Sequence, residues 1–160
     1  MQLCSRNAVD RRRRRGTTIV ETAFVLPVFL LFVLSLVEFG HALMVNNVLR
    51  SATRAGARMG STEGRTTADV EQYVKDILDG AIDPELAEIM VKNADVYDQG
   101  SSTPDSGQEI EALPDMEVSG AEPRQLFLVR ARVAYNDVAL VPMPFMSDVI
   151  LEGQAFIRHE

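Results

Sequence analysis

The sequence predicts an α+β protein in which a long N-terminal transmembrane helix precedes a small domain. Two observations support this fold class. Residues 19–37 are almost wholly apolar and follow a run of arginines. Beyond residue 60, apolar residues recur at helical spacing and then in alternation, which indicates one amphipathic helix on a roughly three-stranded antiparallel sheet. The expected parts are a basic cytoplasmic leader (1–16), a transmembrane and extended helix (17–59) and an extracytoplasmic α+β domain (60–160).

The apolar segment is the predicted membrane anchor. It reads IVETAFVLPVFLLFVLSLV, and about 20 mainly apolar residues suffice for a helix to cross the hydrocarbon core of a membrane. No polar face interrupts it between Ala23 and Leu34. A helix that is apolar all round lies in lipid or in a large core, and a chain of 160 residues has no large core. The segment therefore predicts a single membrane span that tolerates Glu21 and Pro27.

The distribution of charge predicts the orientation of this span. Arg6 and Arg11 to Arg15 lie before the apolar segment, whereas the rest of the chain is acidic. Because cytoplasmic flanks of membrane helices are rich in Lys and Arg, we expect the N-terminus in the cytoplasm and the C-terminus outside the cytoplasmic (inner) membrane. The acidic remainder argues against nucleic acid as a partner.

Glu21 is the most informative residue of the apolar segment. A carboxylate in a membrane span is costly and usually has a functional partner, unless it lies close enough to the interface to stay hydrated. Gly16 directly follows the arginines, and Glu21 is the fifth residue after it. This spacing is the layout of a type IV prepilin signal, in which a membrane peptidase cuts after the glycine. The new amine, here that of Thr17, could then pair with Glu21 of a neighbouring subunit, as buried charges require.

Residues 16–58 read GTTIVETAFVLPVFLLFVLSLVEFGHALMVNNVLRSATRAGAR. This segment resembles the TadE-like family of pseudopilins from the tight-adherence, or Flp-type, pilus system. The resemblance rests on Gly16, Val20, Glu21, Pro27, Glu38, Phe39, Gly40, Ala52, Arg54, Ala55, Gly56 and Arg58. The family pattern has a small or aromatic residue after the first glutamate, whereas this chain has Thr22.

The resemblance implies a minor pilin-like protein that is processed by the prepilin peptidase after Gly16. It also implies that the chain assembles with other pilin-like subunits of the pilus machinery. It implies no enzymatic activity and no cofactor. Glu21 and Pro27 are the residues to which we assign a role in assembly.

The helical pattern continues beyond Val37 to about Met59, and the outer half of this helix has two notable features. Small residues near Ala52 and Gly56 would let another helix or a sheet approach closely. Arg50, Arg54 and Arg58 are four apart and form one stripe. The stripe either pairs with acids, on a neighbouring subunit or on the chain's own domain, or is simply solvated. Glu38 is expected at the outer membrane interface, facing water or headgroups.

The rest of the chain predicts the α+β domain. Thr66 or Thr67 can cap a helix that ends near Gly80, with its apolar face toward a core. Strands are expected at residues 89–97, 126–135 and 150–157. In the strand at 126–135, Arg130 and Arg132 lie on the face opposite the apolar one. Residues 100–123 are expected to be an acidic loop. Residues 138–145 are interrupted by two prolines and form a crossing segment or an edge.

The sequence shows no catalytic set. No spacing of His, Cys, Asp or Glu is typical of a metal site, and there is neither a phosphate-binding loop nor a nucleophile elbow. Two alternatives to a pseudopilin stay open. The chain could be a secreted soluble protein whose signal peptide is cut after Gly40-His41-Ala42, where small residues lie two apart. It could also be a membrane-anchored periplasmic binding module.

Overall fold

The computed structural model describes residues 6–98 and 107–160, with side chains described from residue 19 onward. The chain divides into two compact units, Met1–Phe39 and Gly40–Glu160. The boundary between them lies inside the first helix. Each unit is therefore described by itself.

Helix α1 extends from Arg6 to Gly60 without interruption. It begins before the predicted start at Thr17, because arginine is a good helix former and no proline precedes Gly16. Pro27 lies inside the helix. Arg58 lies in the last turn, where a cation stabilises the negative end of the helix dipole.

The part of α1 in the first unit exposes apolar side chains on every side. Phe24 is 77% exposed and Leu31 is 63% exposed, and Leu26 and Phe29 are exposed as well. An 18-residue window of the stretch Ile19–Gly60 has a mean hydropathy of 2.4 and is 0% buried. Among the described residues, α1 is the one helix whose length and composition suit a membrane span. This observation fits the predicted membrane anchor.

Helix α2, Thr67–Leu78, is the predicted amphipathic helix. The Thr66 side chain accepts a hydrogen bond from the Asp69 amide, and the Asp69 carboxylate accepts one from the Thr66 amide at 2.9 Å. The bond from the Thr66 amide is the first cause of the lowered pKa of Asp69, because it favours the charged carboxylate. Glu117 accepts a hydrogen bond from the Thr67 amide at 2.9 Å, and this bond is the first cause of its lowered pKa. Two carboxylates thus cap the start of α2.

Three strands form the predicted antiparallel sheet, in the order β1-β2-β3. Strand β1 is Glu88–Asn93, β2 is Leu126–Ala134 and β3 is Ile150–Arg158. One face of β2 is fully buried as predicted, at Phe127, Val129 and Ala131. The opposite face is also covered, since Leu128 is 0% exposed and Arg130 is 3% exposed. The fold class predicted from the sequence, an apolar N-terminal helix followed by an α+β domain with this sheet, is confirmed.

Two helices, rather than α2 alone, contribute to the main core of the second unit. The outer part of α1 buries Val45, Leu49 and Ala52, and these residues belong to the same core cluster as Val74 of α2 and Val129 of the sheet. A Cβ placed on Gly153 of β3 would overlap the backbone of α1 at Leu49 and Arg50. The second unit therefore begins at Gly40, before the helix break at residue 60.

The described residues between β1 and β2 contain short helices and turns. Strand β1 ends at Asn93 rather than at residue 97, because the Asn93 side chain accepts a hydrogen bond from the Asp95 amide at 2.9 Å. This bond begins the short helix α3, Asp95–Asp98. The expected acidic loop at 100–123 lies outside the described residues up to residue 106. Its described part contains helix α4, Gly107–Glu111, and a 3₁₀ turn, Val118–Gly120.

The crossing segment between β2 and β3 also has local structure. Helix α5, Tyr135–Val138, directly follows β2. A 3₁₀ turn at Pro144–Met146 precedes β3. Of the two alternatives left open by the sequence, residues 138–145 therefore form a crossing segment and not an edge strand.

We predict that Gly153→Ala destabilises the second unit by about 1–3 kcal/mol, because α1 and β3 must move apart to admit the methyl group. Gly120→Ala is the matched control, since no atom lies within 4 Å of a Cβ built there. Thermal unfolding of the full chain in detergent, followed by circular dichroism, should show a lower Tm for the first variant. Equal Tm values would contradict the close approach of α1 and β3.

Candidate functional site

The residues singled out by sequence all lie on α1. Gly16, Thr17, Glu21 and Pro27 belong to the first unit, whereas the arginine stripe belongs to the second. The backbone is helical at Gly16 and Thr17, which precede the residues whose side chains are described. The structure therefore does not bring these residues into one pocket. It arranges them along a single helix.

Glu21 is exposed near the start of the apolar segment. Val25 and Phe29 follow at intervals of four, so an apolar strip extends from the carboxylate along one side of the helix. None of the ion pairs between described side chains includes Glu21. In hydrocarbon, such a carboxylate would need a cation from elsewhere to offset its loss of hydration.

Pro27 interrupts the hydrogen-bond ladder of this helix. A proline has no amide hydrogen, so the carbonyl of Ala23 lacks the donor that residue 27 would otherwise provide. Prolines are tolerated in membrane helices where neighbouring groups satisfy the freed carbonyl. The helix stays continuous through Pro27. The freed carbonyl lies two residues after Glu21 in the sequence.

The side chains of Arg50, Arg54 and Arg58 are all exposed. None of them takes part in an ion pair among the described residues. The stripe therefore makes no described ion pair with the acids of the chain's own domain. It remains available to solvent or to another molecule.

Four acids among the described residues of the domain are paired with arginines of the sheet instead. Arg130 pairs with Glu152, and its guanidinium also donates to the Gly107 carbonyl at 2.8 Å. Other sheet arginines use further acids: Arg132 pairs with Glu88 and Glu111, and Arg158 pairs with Asp98. The hydrogen bond that Arg132 donates to the Glu88 carboxylate is the first cause of the raised pKa of Arg132. These contacts bind the edges of the sheet together.

Glu38 differs from its expected environment. It is only 1% exposed, so it does not face water or headgroups as expected. Its position explains the difference, because Glu38, Ala42, Val45 and Leu49 are spaced three and four apart and share one face of α1. The three apolar residues of this set belong to the main core.

Gly153 is the structural residue that sequence reasoning missed. It lies in β3 opposite Ala131 of β2. An isolated glycine within a strand often marks the close approach of another backbone, and this signal is visible in the sequence. Here the other backbone is that of α1 at Leu49 and Arg50.

Comparison with known proteins identifies the segment that contains all the predicted site residues. The model of the family described as TadE-like protein matches residues 16–58. We refer to these residues, which are similar to that family, as the TadE-like segment. The resemblance stated from the sequence is thereby confirmed, and the TadE-like family is associated with tight-adherence pilus systems.

The TadE-like segment begins at Gly16 and ends at Arg58, within α1. It covers about a quarter of the chain, and the sheet lies outside it. Neither the curated proteins nor the solved structures contain a match to this chain. Family evidence therefore concerns the helix, whereas the domain is known from its own structure.

We predict that Arg54→Glu changes the free energy of unfolding by no more than about 0.5 kcal/mol, because exposed residues without a close partner contribute little to stability. Arg132→Glu is the comparison variant and should lower the Tm of the full chain, since it places like charges beside Glu88 and Glu111. Thermal unfolding in detergent measures both. A comparable loss of stability in Arg54→Glu would show that the stripe serves the fold.

Proposed function

We propose that the protein is a minor pilin-like component, a pseudopilin, of a tight-adherence Flp-type pilus assembly and secretion system. One observation supports this function above the others. The TadE-like match begins at Gly16, and Glu21 follows as the fifth residue after it at the start of an apolar helix. Both the family and the spacing thus favour the same function.

The proposed maturation step is hydrolysis of the peptide bond between Gly16 and Thr17 by a prepilin peptidase. Water adds to the Gly16 carbonyl carbon, the C–N bond breaks, and the nitrogen leaves as the α-amine of Thr17. Glycine suits this position because it has no side chain to obstruct the peptidase, and because it lowers helix stability by about 1 kcal/mol relative to alanine. Local opening of the helix would expose the bond to the enzyme.

The proposed location is the cytoplasmic membrane, crossed once by α1. Arg11 to Arg15 would stay in the cytoplasm, because cytoplasmic flanks are enriched in basic residues. The unit Gly40–Glu160 would then lie on the extracytoplasmic side. Cleavage would remove the arginines and leave the apolar helix in the membrane.

Glu21 has a specific proposed role in assembly. The α-amine that cleavage creates at Thr17 carries a positive charge when it is protonated. In the membrane it would pair with the carboxylate of Glu21 on a neighbouring subunit, which offsets part of the desolvation of both charges. The exposure of Glu21 supports this role. Pro27 would assist by freeing the Ala23 carbonyl for a donor on the same neighbour.

The arginine stripe is proposed as a second contact between subunits, outside the membrane. Arg50, Arg54 and Arg58 are exposed on α1 and lie within the TadE-like segment. An acidic surface on another pilin-like subunit would complement them. This contact would not require a change in the core of the domain.

The alternative of a secreted soluble protein predicts a different N-terminus. Cleavage after Ala42 would leave a product beginning at Leu43. Ala42 is only 6% exposed and belongs to the main core cluster. That cleavage would therefore remove a core residue, which favours cleavage at Gly16 instead.

We predict that the mature chain begins at Thr17 and stays in the membrane fraction, and that Gly16→Leu blocks the cleavage because the side chain crowds the peptidase. Intact mass and N-terminal sequencing of the chain, expressed with the peptidase, measure both. Gly40→Leu is the control, since it alters the alternative cleavage site and has open space at its Cβ. A product beginning at Leu43, or a normal mature mass for Gly16→Leu, would refute the proposal.

We predict that Glu21→Ala and Glu21→Gln still insert into the membrane but reduce pilus output by roughly tenfold or more, because each leaves an amine without its counter-charge. Membrane fractionation measures insertion, and the amount of surface pili or secreted product measures assembly. Ser35→Ala is the control, because the Ser35 hydroxyl already donates to the Leu31 carbonyl at 2.8 Å within its own helix. Normal output from both Glu21 variants would exclude the role assigned to this residue.

A further inference from the structure

An apolar loop connects β2 to β3 and exposes large side chains. We define the apolar loop as residues 138–149. Its first nine residues, VALVPMPFM, contain no charge. Leu140 is 61% exposed and Phe145 is 67% exposed. Clusters of exposed apolar side chains on a small domain mark a surface that meets another apolar phase.

Contacts with the domain fix the conformation of this loop. The Tyr135 hydroxyl donates to the Val141 carbonyl at 3.4 Å, and the Tyr135 amide donates to the Val149 carbonyl at 2.9 Å. Met146 is 9% exposed and belongs to the main core cluster, against which Met143 packs. The loop is therefore attached at several points, while Leu140 and Phe145 remain exposed.

The position of β3 along α1 shows at which end of the second unit the loop lies. Gly153 lies against Leu49 and Arg50, and the Glu160 amide donates to the Ser61 carbonyl at 2.9 Å. Both elements therefore proceed in the same general direction. Three residues of strand extend about 10 Å. Ile150 is therefore displaced from Gly153 by about that distance, toward the Gly40 end of α1. The apolar loop lies beyond Ile150, at that end.

This end of the unit is also where the chain continues into the apolar segment. Gly40 is the first residue of the unit and directly follows Phe39. Leu43 is 64% exposed and Met44 is 46% exposed at the same end. From Gly40 to Val45 the helix advances only ~8 Å. Covalent continuity thus keeps this end of the domain close to the membrane that the apolar segment spans.

We propose that the apolar loop inserts into the interfacial layer of the membrane, with Leu140 and Phe145 among the acyl chains. Apolar side chains of membrane-surface segments are typically buried about 5–10 Å into the boundary of headgroups and acyl chains. The partner is the lipid itself. The proposal depends on the membrane span, and it is independent of cleavage at Gly16 and of the pilus.

The chemistry of the loop suits a lipid surface. Irregular backbone is costly in hydrocarbon because its amides lose their hydrogen bonds to water. Pro142 and Pro144 have no amide hydrogen, so this part of the loop has fewer donors to satisfy. Asp137 and Asp148 flank the uncharged stretch and would stay at the level of the headgroups. Attraction therefore comes from apolar burial and not from charge.

Tryptophan fluorescence tests the proposal directly, because the chain contains no tryptophan. Phe145→Trp places a single reporter in the loop. Phe156→Trp is the matched control, since Phe156 of β3 is 40% exposed and contacts Tyr97 of α3, away from the loop. Each full-length variant is reconstituted into phosphatidylcholine vesicles, with and without brominated acyl chains.

We predict that brominated lipid quenches Phe145→Trp roughly threefold or more strongly than Phe156→Trp, because only the first reporter would reach the acyl chains. Its emission should also shift to the blue, and acrylamide in the water should quench it less. Circular dichroism spectra of both variants should match that of the unmodified chain.

Equal quenching of the two variants by brominated lipid would overturn the proposal. Protection of Phe145→Trp from acrylamide without quenching by lipid would also overturn it, since a protein surface would then cover the loop. Neither result would affect the test of cleavage at Gly16, so the two proposals fail separately.

Discussion

The close packing of the outer part of α1 on the sheet is the contact on which the second unit depends. Leu49 and Ala52 of this helix are fully buried. Burial of a leucine or valine side chain stabilises a fold by about 1.5–3 kcal/mol. Gly153 permits the contact, because any larger residue would overlap the helix backbone. Without this helix, Phe127 and Val129 of the sheet would lose a large part of their cover.

This dependence explains why the compact unit begins at Gly40 and not at the helix break near residue 60. The predicted division at 60 followed a change in sequence pattern, from a helix to glycine and polar residues. A core cannot be read from that change, because burial is set by which elements meet in space. The anchor helix and the core helix are consequently parts of one element, and we expect insertion and folding to constrain each other.

Local patterns predicted the elements well where one interaction dominates. Thr66 begins α2 because its hydroxyl and the Asp69 carboxylate satisfy free amides at the helix start. The alternation along β2 predicted that Phe127 and Val129 are buried, because one face of a strand must meet the core. Strand β1 ended early for a reason that alternation cannot show. The side chain of Asn93 binds the Asp95 amide and starts α3 in place of further strand.

The position of the candidate site was predictable from the sequence, whereas its chemistry was not. Gly16 and Glu21 stand out by spacing alone, and the family match confirms the segment that contains them. Their chemistry requires a membrane and other proteins, so cleavage and pairing stay predictions. For Arg50, Arg54 and Arg58, sequence left three alternatives open. The described ion pairs favour a neighbouring subunit or solvent over the chain's own domain, because sheet arginines pair with acids of that domain.

The small residues of the TadE-like segment let another helix approach closely, as the sequence predicted, and this helix is α2 of the chain's own domain. Gly56 and Ala57 could have formed a contact with a neighbouring helix, as small residues do in membranes. A Cβ on Gly56 would overlap the Val74 side chain of α2, and one on Gly60 would lie 2.9 Å from a methyl group of Val70. These positions are therefore occupied by packing inside the chain. Any partner that meets α1 outside the membrane must bind its other face, where the exposed arginines lie.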